Sequence, residues 1–281
     1  MKAAPPIIFN RKLYRRRRAR GAARFAERGF LHERAMDDVV DRLETTLRDF
    51  PDALFIGAGG LTSRLTEKCG VGNVIEGDPV RERLCGDGAS VLFDEEALPF
   101  ADNSFDLAVS LLTLHATNDL IGVLTQLRRA LKPDGLLIAV LFAEETLGAL
   151  RAALLAAESE FSNGAAARVA PFANVKDLGQ AMMRAGLALP VADIDRIEVA
   201  YRSPMRLIED LRAMGETNAL QNRAPSLSRH AAAAALAAME GKTVRFDVAT
   251  LTGWAPHESQ PKPLAPGSAS HSLEKAVRDQ S

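Results

Sequence analysis

Apolar residues in the N-terminal fifth of the chain recur at three- and four-residue spacing. After Pro51 the rhythm changes. Phe30, Leu31, Met36, Val39, Val40, Leu43 and Leu47 mark one face of an amphipathic helix, and predict a helical segment over residues 1–50 that Pro51 stops. Beyond it, short continuous apolar runs alternate with helical patterns. Strands are predicted over 53–57, 73–77, 89–93, 105–111 and 135–142, and helices over 61–68 and 119–131. The Lys-Pro-Asp-Gly stretch at 132–135 closes the second of these helices. The second half predicts helices over 146–161, 175–185, 204–214 and 228–240, and strands over 193–201 and 243–254. Continuous apolar strands separated by helices imply a parallel sheet covered on both faces. The expectation is an α/β fold with a seven-stranded, mainly parallel sheet over residues 51–255. It carries a helical insertion at about 203–241 and an irregular, Pro-, Ser- and Gly-rich tail over 256–281.

Composition changes this picture in three places. An apolar fraction of 47% in 281 residues is enough for a sizeable core, and a formal net charge of −1 gives no pointer to nucleic acid. The only cysteines, Cys69 and Cys85, make no disulfide framework and no metal-ligand spacing, and no apolar run reaches the ~20 residues of a membrane span. These features predict a reducing, cytoplasmic setting. Residues 1–26 contain no Asp or Glu, and Arg15, Arg16, Arg17, Arg18 and Arg20 make them densely basic. An organelle transit peptide is one reading of such a segment. Serine is absent there, which favours the other reading: a solvated helix face that docks a partner or an anionic membrane surface, with peripheral contact to the inner membrane.

Candidate chemistry collects at predicted strand ends. Gly57-Ala58-Gly59-Gly60 follows the first strand, where glycines permit a tight turn and close backbone approach by a ligand; a plain turn is the alternative. Asp78 ends the second strand, about twenty residues on, where an acid can accept from both ribose hydroxyls of a nucleotide; Asp78-Pro79 also reads as a helix start. Asp94-Glu95-Glu96 ends the third strand, placed either to bond an adenine amino group or to form an exposed acidic loop.

The order Gly57-Ala58-Gly59-Gly60, Asp78, Glu96-Ala97-Leu98-Pro99-Phe100, Ser104-Phe105-Asp106-Leu107, Leu131-Lys132-Pro133-Asp134-Gly135 resembles the Rossmann-like fold of class I S-adenosylmethionine (SAM)-dependent methyltransferases. More narrowly, the chain is similar to the mitochondrial complex I assembly factor 5 family and its bacterial relatives. That likeness extends to Ile8-Phe9-Asn10-Arg11, Leu114-His115, Ala170-Pro171-Phe172, Met214-Gly215-Glu216-Thr217-Asn218 and Gly253-Trp254, reaching to about Ser272. The resemblance implies SAM as cofactor and a protein substrate, an iron–sulfur subunit of complex I. It implies either methyl transfer, by fold, or arginine hydroxylation, by nearest family. It also implies that Gly57, Gly59, Gly60, Asp78, Asp94 and Glu95 hold the cofactor. Two departures stand out: Phe55 where the family has an acid, and Leu61 where it has a third glycine. They predict a weakened hold on SAM.

His115 and Tyr201, each after a strand of the sheet, are the candidate catalytic residues, with core packing as the alternative for both. His257-Glu258 lacks the company a metal site needs, so no metal is expected. The segment 204–223 follows the sixth strand and is expected to cover the substrate, with Glu209, Asp210 or Glu216 facing a cationic guest. Two other functions fit the pattern: a carboxyl methyltransferase acting on malonyl thioesters, and a non-catalytic assembly chaperone.

Overall fold

The computed structural model describes residues 6–86, 88–161 and 164–261. Most of the predicted tail lies outside them. One sheet holds seven strands: β1 Phe50–Ile56, β2 Val71–Asp78, β3 Ala89–Leu92, β4 Phe105–Leu111, β5 Leu131–Ala143, β6 Ala188–Ala200 and β7 Thr243–Trp254. Their order is β3-β2-β1-β4-β5-β7-β6. The first five are mutually parallel, and β7 runs antiparallel between β5 and β6. This is the Rossmann-like, mainly parallel sheet that the alternation predicts. From β1 the chain moves outward to β3, then crosses back to place β4 on the other side of β1. Ligands in such sheets bind at that reversal, at the carboxyl ends of the strands.

Alternate residues of the central strands feed two cores. Phe55, Leu107, Val109 and Ile138 face a layer formed by α3 (Phe30–Thr45), α5 (Gly148–Phe161), α7 (Pro204–Met214) and α8 (Arg229–Met239). Leu54, Ile56, Ala108 and Leu137 face α4 (Leu120–Ala130) and α6 (Val175–Arg184). Burial on both faces explains why these strands read as continuous apolar runs. At the amino ends of the strands, Lys132 Nζ donates to Asp52 and Asp106, 2.8 Å to each. The Asp106 and Lys132 motif positions therefore clamp the edge remote from the carboxyl-end crevice.

Three expectations need correction. The N-terminal segment is three helices: α1 (Arg11–Ala22), α2 (Phe25–Arg28) and α3. Pro51 does not stop a helix; it lies within β1, after Phe50 has paired with Val71. At this exposed place near the strand start, its missing N–H is tolerated. No α-helix follows the glycine turn. Residues Leu61–Arg64 and Glu67–Cys69 form two short 3₁₀ turns. Polar side chains hold them so, with Ser63 bonding back to the Gly60 carbonyl and Thr62 spent on Glu76. Residues after Asp78-Pro79 likewise make only a 3₁₀ turn, Arg81–Arg83.

His32 on α3 has no exposed surface, meets Phe25 edge-on at 4.8 Å, and finds no hydrogen-bond partner for either ring nitrogen. Burial first, then the nearby cations Arg83 and Arg18, push its pKa well below the usual histidine value. A base whose folded pKa is lowered binds fewer protons folded than unfolded, so stability falls as pH drops through the unfolded value of about 6.5. Unfolding free energies from urea titrations between about pH 8 and about pH 5 should decline by up to about 1.4 kcal/mol per pH unit for this group. His32→Leu should flatten the decline. An unchanged slope in that variant would remove His32 as its source.

Candidate functional site

The N-terminal segment is built into the crevice. Asn10 caps α1 by accepting from the Leu13 amide at 2.9 Å. Before it, Phe9 pairs antiparallel with Leu220, and the side-chain oxygen of Asn118 accepts from the Ile8 and Phe9 amides at 2.8 Å. The Ile8-Phe9-Asn10-Arg11 motif thus anchors the segment. Beyond it α1 runs over the carboxyl ends of the strands and crosses the C-terminal end of α7 closely. A Cβ on Gly21 would stand 2.4 Å from the Arg212 carbonyl oxygen, and one on Gly215 would stand 2.9 Å from Arg18 Cα.

This placement brings arginines to the predicted cofactor acids. Arg18 and Asp78 have essentially no exposed surface, and Arg18 donates to both Asp78 oxygens, the closest contact being 2.9 Å. Burial opposes the charge on Arg18, but Asp78 holds it firmly protonated. Arg11 reaches Asp94 at 2.8 Å and also bonds the buried Glu95. Burial would raise both acids. Arg11 and the Glu96 amide nonetheless hold Asp94 below the usual carboxylate range, whereas Glu95, deeper, is held above it. The basic helix is therefore not simply a solvated face. Arg11, Arg15 and Arg18 recur at four- and three-residue spacing, and that stripe was the available signal.

The glycine turn is also covered. Gly57 and Gly59 take positive φ of 77° and 59°. A Cβ on Gly59 would meet the Phe25 ring at 2.7 Å. Arg83 packs its guanidinium over that ring, and none of its three nitrogens has a hydrogen-bond partner among the described residues. Burial and the neighbouring Arg18 disfavour its charge. Glu76, unflagged by the sequence reading, sits behind the turn and accepts from Thr62 and, at 3.4 Å, from the Gly60 amide. Phe55 has no exposed surface and belongs to the core, so an acid there would be a buried charge. The groups expected to meet a nucleotide-type cofactor, namely the glycine turn and the acceptors Asp78 and Asp94, lie at neighbouring strand ends and suit such a group chemically. The space beside them is taken by Arg18 and Phe25.

A second centre lies where β4 and β5 end. His115, on the turn after β4, meets Glu216 at 2.8 Å through Nε2. Its ring packs on Phe142 and Phe172, 4.9 and 6.0 Å between centroids. Both residues of the pair line a cavity of about 170 Å³ whose walls are mainly apolar, with Leu147, Leu150, Phe172 and Leu211 among them. Glu216 Oε1 and His115 Nδ1 are buried without partners among the described residues. The backbone around this cavity is strained: Leu112, Glu144 and Leu147, all at the ends of β4 and β5, have φ of 48°, 45° and 59°. Ile208, Leu211 and residues 215–219, from the segment read as a substrate cover, supply one wall. Glu209 and Asp210 are not free to face a guest there, because both pair with Arg28. Tyr201 is not brought into the cavity. It is half-buried beside Asp210, its hydroxyl pKa raised by burial and that carboxylate. Among the described residues, no three His, Cys, Asp or Glu side chains are grouped so as to hold a metal ion.

A methyltransferase domain model matches residues 55–139. The chain is 36% identical to the protein named arginine-hydroxylase NDUFAF5, mitochondrial, of Danio rerio, over 95% of this chain and 88% of that one. The Homo sapiens protein of the same name is 37% identical, with 82% of its length covered. A malonyl-[acyl-carrier protein] O-methyltransferase of Halorhodospira halophila is 32% identical over 75% of this chain and 73% of its own. Among solved structures, a methyltransferase-type protein of Bacillus halodurans aligns with a TM-score of 0.52 at 13% identity, covering 78% of this chain and 98% of that one. At that identity the likeness speaks for the fold alone. The expectation of a cytoplasmic location is overturned, since these first relatives are named as mitochondrial proteins. Cysteine usage misled because reducing conditions are not confined to the cytoplasm. No described helix is long and apolar enough to cross a membrane.

Arg18→Met should destabilise the protein by about 3–5 kcal/mol, because it strands the Asp78 charge in the interior. Combining it with Asp78→Leu should recover most of that loss. Urea unfolding of the two single variants and the double variant measures the coupling. Purely additive costs would show that the pair does not hold α1 in place.

Proposed function

Because the chain belongs to the arginine-hydroxylase NDUFAF5 family, we propose that it is a complex I assembly enzyme whose cavity receives an arginine side chain of a protein partner. The observation that carries this reading is Glu216: a carboxylate with one oxygen held by His115 and the other buried without a partner among the described residues, in a mainly apolar cavity. An arginine side chain has the matching halves. Its methylenes pack on Leu147, Leu150 and Phe172, and its guanidinium donates to the free Glu216 oxygen. His115 positions Glu216 through Nε2, and its Nδ1, without a partner among the described residues, is left to accept a hydrogen bond from the guest. A malonyl group, being anionic, suits this cavity poorly. The wall cation Arg168 is already held by Glu158 at 2.5 Å, whereas the His115–Glu216 pair favours a cation.

S-adenosyl-L-methionine is the cofactor that the methyltransferase domain and fold support. Gly57, Gly59, Asp78 and Asp94 would hold it, with Glu95 behind Asp94, once Arg18 and Phe25 give way. When bound, it supplies an electrophilic methyl group. A binding-only assembly factor is the second reading, and one observation favours it: both Asp78 oxygens are already engaged by Arg18. Calorimetric titration with SAM separates the two readings, because the second expects no heat of binding.

Glu216→Gln should weaken binding of an arginine-containing substrate peptide by about one to two orders of magnitude, the worth of a charge-assisted hydrogen bond of about 1.5–3 kcal/mol. His115→Ala should lower turnover more than it lowers affinity. Mass spectrometry of the iron–sulfur subunits of complex I, from strains carrying wild-type protein, Glu216→Gln or a deletion, reads the reaction directly. Loss of one oxygen from an arginine in the variants supports hydroxylation, and loss of a methyl group supports transfer. Unchanged subunits in both variant strains would sink the reading.

A further inference from the structure

Beside the cavity runs a groove of about 760 Å³ whose walls carry five arginines: Arg17, Arg20, Arg24, Arg168 and Arg212, with Glu209 as the one carboxylate. Glu209 is engaged by Arg28 at 3.1 Å and faces Arg206 at 3.8 Å. Arg168 is satisfied by Glu158 and by the Pro225 carbonyl. Arg17, Arg20, Arg24 and Arg212 make no ion pair among the described residues, although other arginines of the same helices, such as Arg11, Arg18 and Arg206, do. Arg17 is disfavoured in its charged form by burial and then by Arg223, Arg16 and Arg20. A fold that gathers like charges along one concave wall has a self-repulsion that an anionic occupant removes.

Groove and cavity share walls. Arg168, Ile208, Thr217 and Asn218 line both. A polypeptide that inserts one side chain into the cavity therefore continues along the groove. A planar lipid surface cannot follow a concave wall of this kind, whereas an extended chain can. Guanidinium forks suit carboxylates, which they bind through two parallel N–H···O bonds.

We propose that this groove is the docking surface for an acidic stretch of the protein substrate, flanking the residue presented to the cavity. The proposal rests on the reading of the cavity as a substrate site, and it adds the chemistry by which the partner is recognised. Positive charge along the groove draws the acidic stretch in, and the Glu216 carboxylate then selects a cationic side chain at its end.

Fluorescence anisotropy with the full-length protein tests it. Three labelled peptides are needed: Asp and Glu residues flanking one arginine, the same peptide with Asn and Gln in place of the acids, and the acidic peptide with its arginine replaced by alanine. Arg20→Glu combined with Arg212→Glu reverses two exposed charges, and circular dichroism confirms folding of that variant. The wild type should bind the acidic peptide at least about tenfold tighter than the neutral one, a gap of about 1.4 kcal/mol. The gap should close with added salt, and the double variant should lose it. Equal binding of acidic and neutral peptides, or a double variant that keeps the preference, overturns the proposal. So does binding to phosphatidylglycerol vesicles without any peptide preference. If the acidic peptide binds equally with or without its arginine, the groove stands and the arginine reading of the cavity falls.

Discussion

Asp78 ends β2 with almost no exposed surface, and its charge is tolerable there because Arg18 reaches both of its oxygens. Tyr14, the Gly57 carbonyl and the Val80 amide add hydrogen bonds around the pair, but each charge has the other as its ion-pair partner, and the two must stay together, since either alone would face a desolvation cost of several kcal/mol. That requirement fixes α1 over the carboxyl edge of the sheet. Once α1 is fixed, Tyr14 is carried into the cavity wall, Arg11 meets Asp94 and Glu95, and the chain after Gly21 delivers Phe25 to the glycine turn. The acidic strand ends, the cavity and the arginine groove all border the helix that this contact holds.

Much of the fold could be read from the chain. The continuous apolar runs of β1, β4 and β5 and the helical spacing between them gave the seven-stranded sheet, because both faces of those strands are buried. The positions of Gly57, Asp78 and Asp94 at strand ends were legible for the same reason: the alternation fixes where each strand stops. What hid was whatever depends on contacts distant in sequence. The Arg18–Asp78 pair spans sixty positions, and the His115–Glu216 pair spans more. A run of arginines looks the same whether its members face water or a buried carboxylate. Of the two readings kept open for Tyr201, its place beside Asp210 of α7, packed on the core at the end of the edge strand β6, matches core packing. The missing helix after the glycine turn was a matter of local competition, Thr62 and Ser63 bonding nearby groups instead of continuing helical turns.

A formal net charge of −1 conceals strong segregation. The crevice collects acids and answers them with arginines from α1. The cavity keeps one carboxylate half-satisfied. The groove beside it holds four arginines, Arg17, Arg20, Arg24 and Arg212, that make no ion pair among the described residues. These three environments lie along a single helix and its crossing partner, so a guest moving from groove to cavity passes from a positive to a negative field within a short distance. A substrate bearing acids around a cationic side chain matches that succession.

The crossing of α1 with α7 has a consequence for binding order. Gly21 and Gly215 let the two backbones touch, with Arg18 against the very glycine that precedes Glu216. Arg18 therefore touches both regions: its guanidinium holds Asp78, and its Cα abuts the loop that carries the cavity carboxylate. A shift of the α1 backbone that draws Arg18 away from Asp78 also withdraws it from that loop, so under the proposed function the two occupants would be thermodynamically linked. Whatever free energy one occupant gains from moving the helix changes the affinity for the other by the same factor, in both directions.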